Sequence, residues 1–271
     1  MSMTNSQTCM EQTVSLRDSL VFRRRVLHAL LLREVITRFG RHNLGALWLV
    51  AEPMLYTTGV ATLWSIAGLG IFSTVPIVAF AITGYSTVLM WRNSASRCTA
   101  GIEANKPLLF HRNVRVLDVF LCRIILELGG ATASFIVLSL LLIFMGWMPP
   151  PVDLGEVVFG WLMMAWLATG IALTIGAGTV FSEVVDRLWH PAAYLLFPLS
   201  GAEFMVAWLP ADLRKYILFV PMVHGTEMIR QGWFGNFAKA YYSVSYMVTW
   251  SLGLTLLGLY LSWEADRRME I

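Results

Sequence analysis

The sequence predicts an all-α integral membrane protein, and three observations support that prediction. Hydrophobic residues make up 57% of the 271 residues and charged residues only 14%, with a mean hydropathy of +0.64, which is too apolar for a soluble domain. Several apolar stretches reach the roughly 20 residues that a helix needs to cross a bilayer. A basic, amphipathic stretch precedes the first of them. We therefore expect an N-terminal interface helix, six transmembrane helices and a short re-entrant periplasmic helical segment before the last span.

The interface helix is expected over residues 22–41, after a polar tail over residues 1–21. Its apolar and polar side chains fall on two sides of a helical wheel: Val26, Ala29, Leu32, Val35, Ile36 and Phe39 against Arg23, Glu34, Thr37, Arg38 and Arg41. A basic polar face suits an anionic membrane surface. Leu27 and Leu31 fall among the charges, where they would meet water unless a partner protein covers them. An ordinary interfacial helix without a partner is the open alternative.

The transmembrane domain is expected over residues 44–263, followed by a tail over residues 264–271. Its six spans are placed near residues 44–69, 75–91, 116–148, 157–181, 191–209 and 242–263. A seventh apolar stretch, residues 216–223, contains Pro221 and is too short to cross. It is interpreted as a re-entrant or interfacial piece, and it lies within residues 210–240, the segment expected to be re-entrant.

The distribution of basic residues predicts the orientation. With the N-terminus inside, only Arg214, Lys215, Arg230 and Lys239 fall on the outer side, as expected when basic loops stay in the cytoplasm. Both terminal tails are therefore predicted to be cytoplasmic, and the first residues lack the apolar core of a secretory signal. The net charge of +3 serves membrane anchoring and does not indicate nucleic-acid binding.

The chain carries no motif for catalysis, metal binding or ATP binding. HExxH, GxSxG and CxxC patterns are absent from the sequence, and Cys9, Cys98 and Cys122 are expected to be free thiols. Residues 40–45 have the glycine spacing of a phosphate-binding loop, but Ala46 and Leu47 stand where Lys and Ser or Thr are needed. We expect no enzyme activity and no cofactor in this chain. If ATP drives transport, a separate subunit binds the ATP and Mg²⁺.

The longest inner loop, residues 92–115, contains a short amphipathic run that Pro107 is expected to end. Polar side chains stand next to apolar ones in it: Glu103, Asn105 and Lys106, then Leu108, Leu109 and Phe110. Such a helix between two spans is suited to insert into a groove of a partner. A simple re-entry turn is the alternative.

Motifs spread along the chain resemble those of one family. In chain order they are ALLLREVITRFG at 29–40, LGALW at 44–48, Glu52-Pro53, IEAN at 102–105, Asp118 within 116–123, and PMVH at 221–224 followed by Glu227 and Arg230. Together they resemble the capsular polysaccharide export permeases, the ABC-2 type membrane subunits of ABC transporters. Lys106-Pro107 and the region 203–212 depart from that pattern.

The resemblance implies an assembly and its contacts. Two copies of the chain would pair with two ATP-binding cassette subunits and export a lipid-linked anionic polysaccharide, together with periplasmic and outer-membrane polysaccharide export proteins. Residues 22–40 would form the interface helix, residues 102–110 the coupling helix, and residues 212–234 short helices in the outer leaflet. The ATPase-coupling residues would be Arg33, Arg38, Phe39, Ile102, Glu103, Asn105, Leu108 and Leu109.

Charged residues at membrane depth are candidates for a substrate path, because each costs roughly 2.5–3.5 kcal/mol at a helix centre. Glu52 precedes Pro53, which favours a wet cavity wall. Glu127 lies four residues after Arg123, so a local ion pair is expected. Glu203 has no local partner and lines the path or lies near the outer head groups.

Aromatic rings can stack on sugar faces, and Tyr56, Tyr85 and Trp166 are named as path candidates on that ground. Most aromatic side chains in or beside spans are expected to pack or to lie at the membrane interface.

His224, Glu227 and Arg230 recur every three residues, so on a helix they form a polar ridge, expected at the outer surface. They either gate the exit and bind an anionic group, or form a mutual network that caps a re-entrant turn.

Two other functions stay open at this point: export of O-antigen or teichoic acid by a related transporter, and proton-coupled transport through Glu52 and Glu203. The six spans show no clear inverted repeat for the latter.

Overall fold

The computed structural model describes residues 16–39, 45–67, 75–109, 114–235 and 239–269, and these ranges contain helices and no strand. Ten α-helices are described: α1 Leu16–Phe39, α2 Gly45–Ile66, α3 Ile77–Thr99, α4 Gly101–Leu109, α5 Val116–Phe144, α6 Leu154–Phe181, α7 Glu183–Leu199, α8 Ala211–Ile217, α9 Pro221–Phe234 and α10 Val244–Met269. A 3₁₀ turn, Val206–Trp208, lies between α7 and α8. The prediction of an all-α fold is confirmed.

Three of the described helices are long and apolar enough to cross a membrane. They cover Val116–Phe144, Leu154–Phe181 and Val244–Arg268, and they coincide with the third, fourth and sixth predicted spans. The other predicted spans overlap with α2, α3 and α7. The short helices expected over residues 212–234 are present as α8 and α9.

The fifth predicted span has different bounds in the structure. The prediction of a continuous helix over residues 191–209 is wrong, because α7 begins at Glu183 and ends at Leu199. The Ser182 hydroxyl caps its start by accepting a hydrogen bond from the Val184 amide at 3.2 Å. At its other end Gly201 has a φ of 82°, a conformation that favours glycine and stops a helix.

The core is centred on α6, which packs against α10, α3 and α9. Glycines let α6 and α10 approach closely. A Cβ added at Gly170 would lie 2.9 Å from the Leu254 Cβ, and one added at Gly258 would lie 2.5 Å from the Leu173 Cβ. Small residues at such a seam are typical of helix packing in membranes.

The bundle has two ends. At the α4 end, Thr179 Oγ1 donates to the Thr99 carbonyl at 3.5 Å and the Val116 amide donates to Asp266 Oδ1 at 2.7 Å. The α4 end therefore contains α4 and the neighbouring ends of α3, α5, α6 and α10. The α9 end lies opposite and contains α8 and α9.

Candidate functional site

The first candidate site is the junction of α1, α4 and α5 at the α4 end. Arg33 Nη1 of α1 donates a hydrogen bond to Asn105 Oδ1 of α4 at 2.8 Å. Asn105 is buried, and its Nδ2 donates to the Gly101 carbonyl at 2.9 Å. Asn105 therefore joins two helices of its own chain. Of the predicted coupling residues, the structure brings Arg33 and Asn105 into direct contact.

The packing of α1 changes the interpretation of its two leucines. The helix packs against α5 and α2, and Leu27 and Leu31 are half-buried on the side that carries Glu34. The same chain thus already covers them in part, so they do not by themselves indicate a docking face. Leu32 and Ile36, on the expected lipid-facing side, are 52% and 49% exposed.

The helix α4 also carries two further predicted coupling residues whose side chains are described, Ile102 and Glu103. Ile102 is buried and Glu103 exposed. Both line an open cleft of about 670 Å³, which the α6–α7 corner completes with Phe181, Glu183 and Arg187. The expectation that Pro107 ends this helix is wrong, since α4 continues to Leu109. Proline removes one amide hydrogen bond from the last turn, and the turn is kept.

The side chains of four predicted coupling residues lie outside the part of the chain that the structure describes. They are Arg38, Phe39, Leu108 and Leu109.

A chain of charged contacts leads away from this junction. Glu34 of α1 lies 3.2 Å from Arg123 of α5, and an Arg123 nitrogen donates to the Arg97 carbonyl of α3. The Arg97 guanidinium lies 3.4 Å from Glu127 of α5 and 3.9 Å from Glu52 of α2. Arg123 and Glu127, expected to pair locally, thus each pair with a residue of another helix. The contacts connect α1, α5, α3 and α2 in one network.

The second candidate site is a row of rings along α2, α3 and the end of α7, which we call the aromatic row. Its members are Tyr56, Tyr85, Phe197, Trp64, Phe80 and Trp208, with neighbouring ring centroids 5.1–6.1 Å apart, the spacing of aromatic packing. The Tyr85 hydroxyl donates to Glu203 Oε1 at 3.2 Å. Three of the predicted path residues, Tyr56, Tyr85 and Glu203, therefore lie together.

The other path candidates lie at different distances from this row. Glu52 is exposed one turn before Tyr56 on α2 and pairs with Arg97. Trp166 lies apart, because its indole N–H donates to Thr255 Oγ1 of α10 at 3.2 Å. Tyr85 itself is only 4% exposed, so its ring is buried within the row. Tyr56 faces outward, at 39% exposure.

The third candidate site is the polar side of α9. His224, Glu227 and Arg230 are 3%, 1% and 0% exposed, so the expectation of a ridge at the outer surface is wrong. The Arg230 guanidinium donates to the carbonyls of Gly201, Ala202 and Phe204 and lies 3.8 Å from the Phe80 ring centroid. Arginine, with five donors in a fixed fork, suits such a set of carbonyls.

The other two residues of this set also bind backbone. Glu227 accepts from the amides of Val206 at 3.2 Å and Tyr241 at 3.1 Å. His224 accepts from the Ser243 amide and its other ring nitrogen lies 2.9 Å from the Leu218 carbonyl. The three side chains thus fasten the segments before and after α9 to α9. These contacts hold a turn, as in the second of the two alternatives, but they run to backbone groups instead of joining the three side chains to one another.

Tyr242 joins the segment before α10 to α6. Its hydroxyl donates to Glu156 Oε1 at 2.8 Å. Burial, together with this hydrogen bond and the nearby Glu156 charge, raises the pKa of Tyr242.

Sequence reasoning missed two features of these sites. It did not select Arg97, which bridges Glu52 and Glu127, because the three residues are far apart in sequence. It also did not select Arg92, although Arg92 follows Tyr85 by seven residues and therefore lies on the same side of α3. This seven-residue spacing could have identified Arg92 from the sequence.

Comparison with known proteins gives consistent matches. The family model described as ABC-2 type transporter matches residues 25–234. The capsule polysaccharide export inner-membrane protein CtrC of Neisseria meningitidis serogroup B is 46% identical over 242 residues, 89% of this chain and 91% of the relative. BexB of Haemophilus influenzae, named likewise, is 41% identical over 90% of this chain and 92% of its own. The polysialic acid transport protein KpsM of Escherichia coli is 28% identical over 86% of this chain and 90% of its own.

Proposed function

We propose a function from the premise that this chain belongs to the ABC-2 type transporter family. In this proposal the chain is the membrane subunit of an ATP-driven exporter, which moves lipid-linked capsular polysaccharide across a bacterial inner membrane. The observation that carries the proposal is the identity of 41–46% over about nine-tenths of the chain to inner-membrane proteins named for capsule polysaccharide export. A further relative is named for the transport of polysialic acid, an anionic polymer, which favours an anionic substrate.

The proposed assembly contains two copies of this chain and two ATP-binding cassette subunits. The sequence has no phosphate-binding loop with its Lys and Ser or Thr, so the partner binds ATP and Mg²⁺. In the proposed topology six spans, with α2, α3 and α7 among them, leave both termini and the α4 end in the cytoplasm. The segment with α8 and α9 then enters the outer leaflet as a re-entrant piece, next to the periplasmic and outer-membrane export proteins.

Coupling runs through α1 and α4. The ATPase contacts the exposed side of α4 at Glu103 and the neighbouring cleft, and α1 follows α4 because Arg33 holds Asn105. From α1 the displacement reaches α5 through Glu34 and Arg123, and α3 and α2 through Arg97. The network ends at Glu52, one turn from Tyr56 at the aromatic row. ATP-driven closure of the two ATPase subunits thereby acts on the helices that border the path.

The path itself follows the outward side of the aromatic row. A sugar ring presents C–H groups that stack on Tyr56 and hydroxyl groups that bond to Glu203 and Glu52. A second copy facing this side would enclose the path. The α9 network of His224, Glu227 and Arg230 keeps the outer segment in place, and the segment moves as a unit when the exit opens.

Co-purification tests this function. The membrane complex is isolated by a tag on this chain, and the bound chains are identified by mass spectrometry. We expect a chain with a Walker motif, and an accumulated capsular intermediate inside cells that lack the permease. Transport by this chain in vesicles without an ATPase would refute the proposal, and an accumulated O-antigen or teichoic acid would assign the other substrate.

A further inference from the structure

Arg92 on α3 has an environment that the proposed function leaves unexplained. It is half-buried, and its guanidinium carbon lies 6.0 Å from the Tyr56 ring centroid and 5.8 Å from the Tyr194 ring centroid. These distances are those of cation–π contacts. Within the part of the chain that the structure describes, the guanidinium makes no hydrogen bond and no ion pair.

The carboxylates of this side of the bundle are engaged elsewhere. Glu52, one turn before Tyr56 on α2, lies 3.9 Å from Arg97. Glu203 accepts the hydrogen bond of Tyr85. A guanidinium has five N–H donors and stays charged, so Arg92 presents an unneutralised cation between two rings. The hydroxyl groups of Tyr56 and Tyr194 also make no hydrogen bond to a described residue, and both can donate to an anion.

The depth of Arg92 indicates which anion it meets. Seven residues separate it from the end of α3 at Thr99, which is about 10 Å along a helix. In the proposed topology this places the guanidinium near the head groups of the cytoplasmic leaflet. Arginine binds phosphate by two parallel hydrogen bonds, and phosphate is the charged group of a lipid at that depth.

We propose that Arg92, between Tyr56 and Tyr194, binds the phosphate of a lipid head group at the start of the path. The site rests on the proposed function for its place in the membrane. The phosphate belongs either to the lipid anchor of the cargo or to a resident phospholipid. As cargo anchor, it fixes the lipid end at Arg92 while the sugars extend along the aromatic row toward Glu203.

Lipid retention tests the site directly. The chain is purified in neutral detergent, incubated with an equimolar mixture of phosphatidylglycerol and phosphatidylcholine, and examined by native mass spectrometry. We expect Arg92→Gln to lower the excess of retained phosphatidylglycerol about fivefold, the factor that corresponds to the roughly 1 kcal/mol of one basic side chain at an anionic surface. Arg92→Lys should retain an intermediate amount, because lysine keeps the charge without the fork.

The matched control is Arg187→Gln. Arg187 is an exposed arginine at the same end of the bundle and pairs with Glu183 at 3.0 Å, so its removal changes the net charge equally and should leave lipid retention unchanged. A monodisperse elution profile confirms that each variant is folded. Equal phosphatidylglycerol retention by wild type and Arg92→Gln overturns the proposal, whatever its effect on export.

Export in cells distinguishes the two sources of the phosphate. If Arg92 holds the cargo anchor, Arg92→Gln should also lower surface polysaccharide at least fivefold while the ATPase still co-purifies. If it holds a resident phospholipid, retention falls and surface polysaccharide stays at the wild-type level. Lipid retention is measured without ATPase or ATP, so failure of this site and failure of the proposed function are separate outcomes.

Discussion

The guanidinium of Arg33 donates a hydrogen bond of 2.8 Å to the side-chain oxygen of Asn105, across 72 residues of sequence. The two residues belong to α1 and α4, the two helices that sequence reasoning assigned separately to contact a partner. Because Asn105 is buried, it acts within the chain and positions α4 against α1. In the proposed coupling, a displacement of α4 reaches α1 through this bond.

Asn105→Leu removes the acceptor at nearly constant volume. We expect a loss of about 1 kcal/mol and a fall of about 2–4 °C in the thermal unfolding midpoint of the purified protein. The amount of exported polysaccharide should fall further than this small loss of stability explains, because α4 then moves without α1. Asn105→Asp, which keeps the acceptor for Arg33, is the control and should retain export. Wild-type export by Asn105→Leu would show that the bond does not transmit motion.

Glu103→Arg tests the contact surface itself. Glu103 is exposed at the cleft beside α4, so reversing its charge should weaken a complementary ATPase contact and uncouple export, while the chain stays inserted in the membrane. The readouts are ATPase co-purification and surface polysaccharide.

Asp212→Arg is the matched control for that prediction. It makes the same change on α8 at the opposite end of the bundle, where the Asp212 side chain is 93% exposed, and should leave ATPase binding intact. If Glu103→Arg binds the ATPase and exports like wild type, α4 is not the coupling helix.

Sequence patterns predicted the elements of this fold better than their bounds and contacts. The apolar stretches containing α5, α6 and α10 were evident from hydropathy. The shift of α7 depended on a Ser182 cap and on the φ of Gly201, which are local geometries that hydropathy does not report. The partners of Arg97 and the burial of His224, Glu227 and Arg230 arise from tertiary packing, since those partners lie on other segments. A three-residue spacing places side chains on one face of a helix, but it does not say what covers that face.

The orientation of the bundle can be measured with single cysteines. The native thiols of Cys98 and Cys122 are free and buried, which makes them poor labelling sites. Arg187→Cys at the α4 end and Asp212→Cys at the α9 end replace side chains that are 75% and 93% exposed. With a membrane-impermeant maleimide, we expect Asp212→Cys to react in spheroplasts and Arg187→Cys to react only after lysis. The reverse pattern would invert the predicted topology.

Glu227→Gln separates a structural cap from a gate at α9. The Glu227 carboxylate accepts from two backbone amides, and a glutamine has only one oxygen to replace it, so one buried N–H loses its acceptor. Such a loss costs about 1–3 kcal/mol and should lower the thermal midpoint by several degrees. Export should fall in parallel and recover when cells grow at a lower temperature. Asp212→Asn, the corresponding change at a side chain 93% exposed, should alter neither quantity. A Glu227→Gln protein with a wild-type midpoint and no export at any temperature would instead assign Glu227 to the gate, because only a role in substrate passage would then explain the loss.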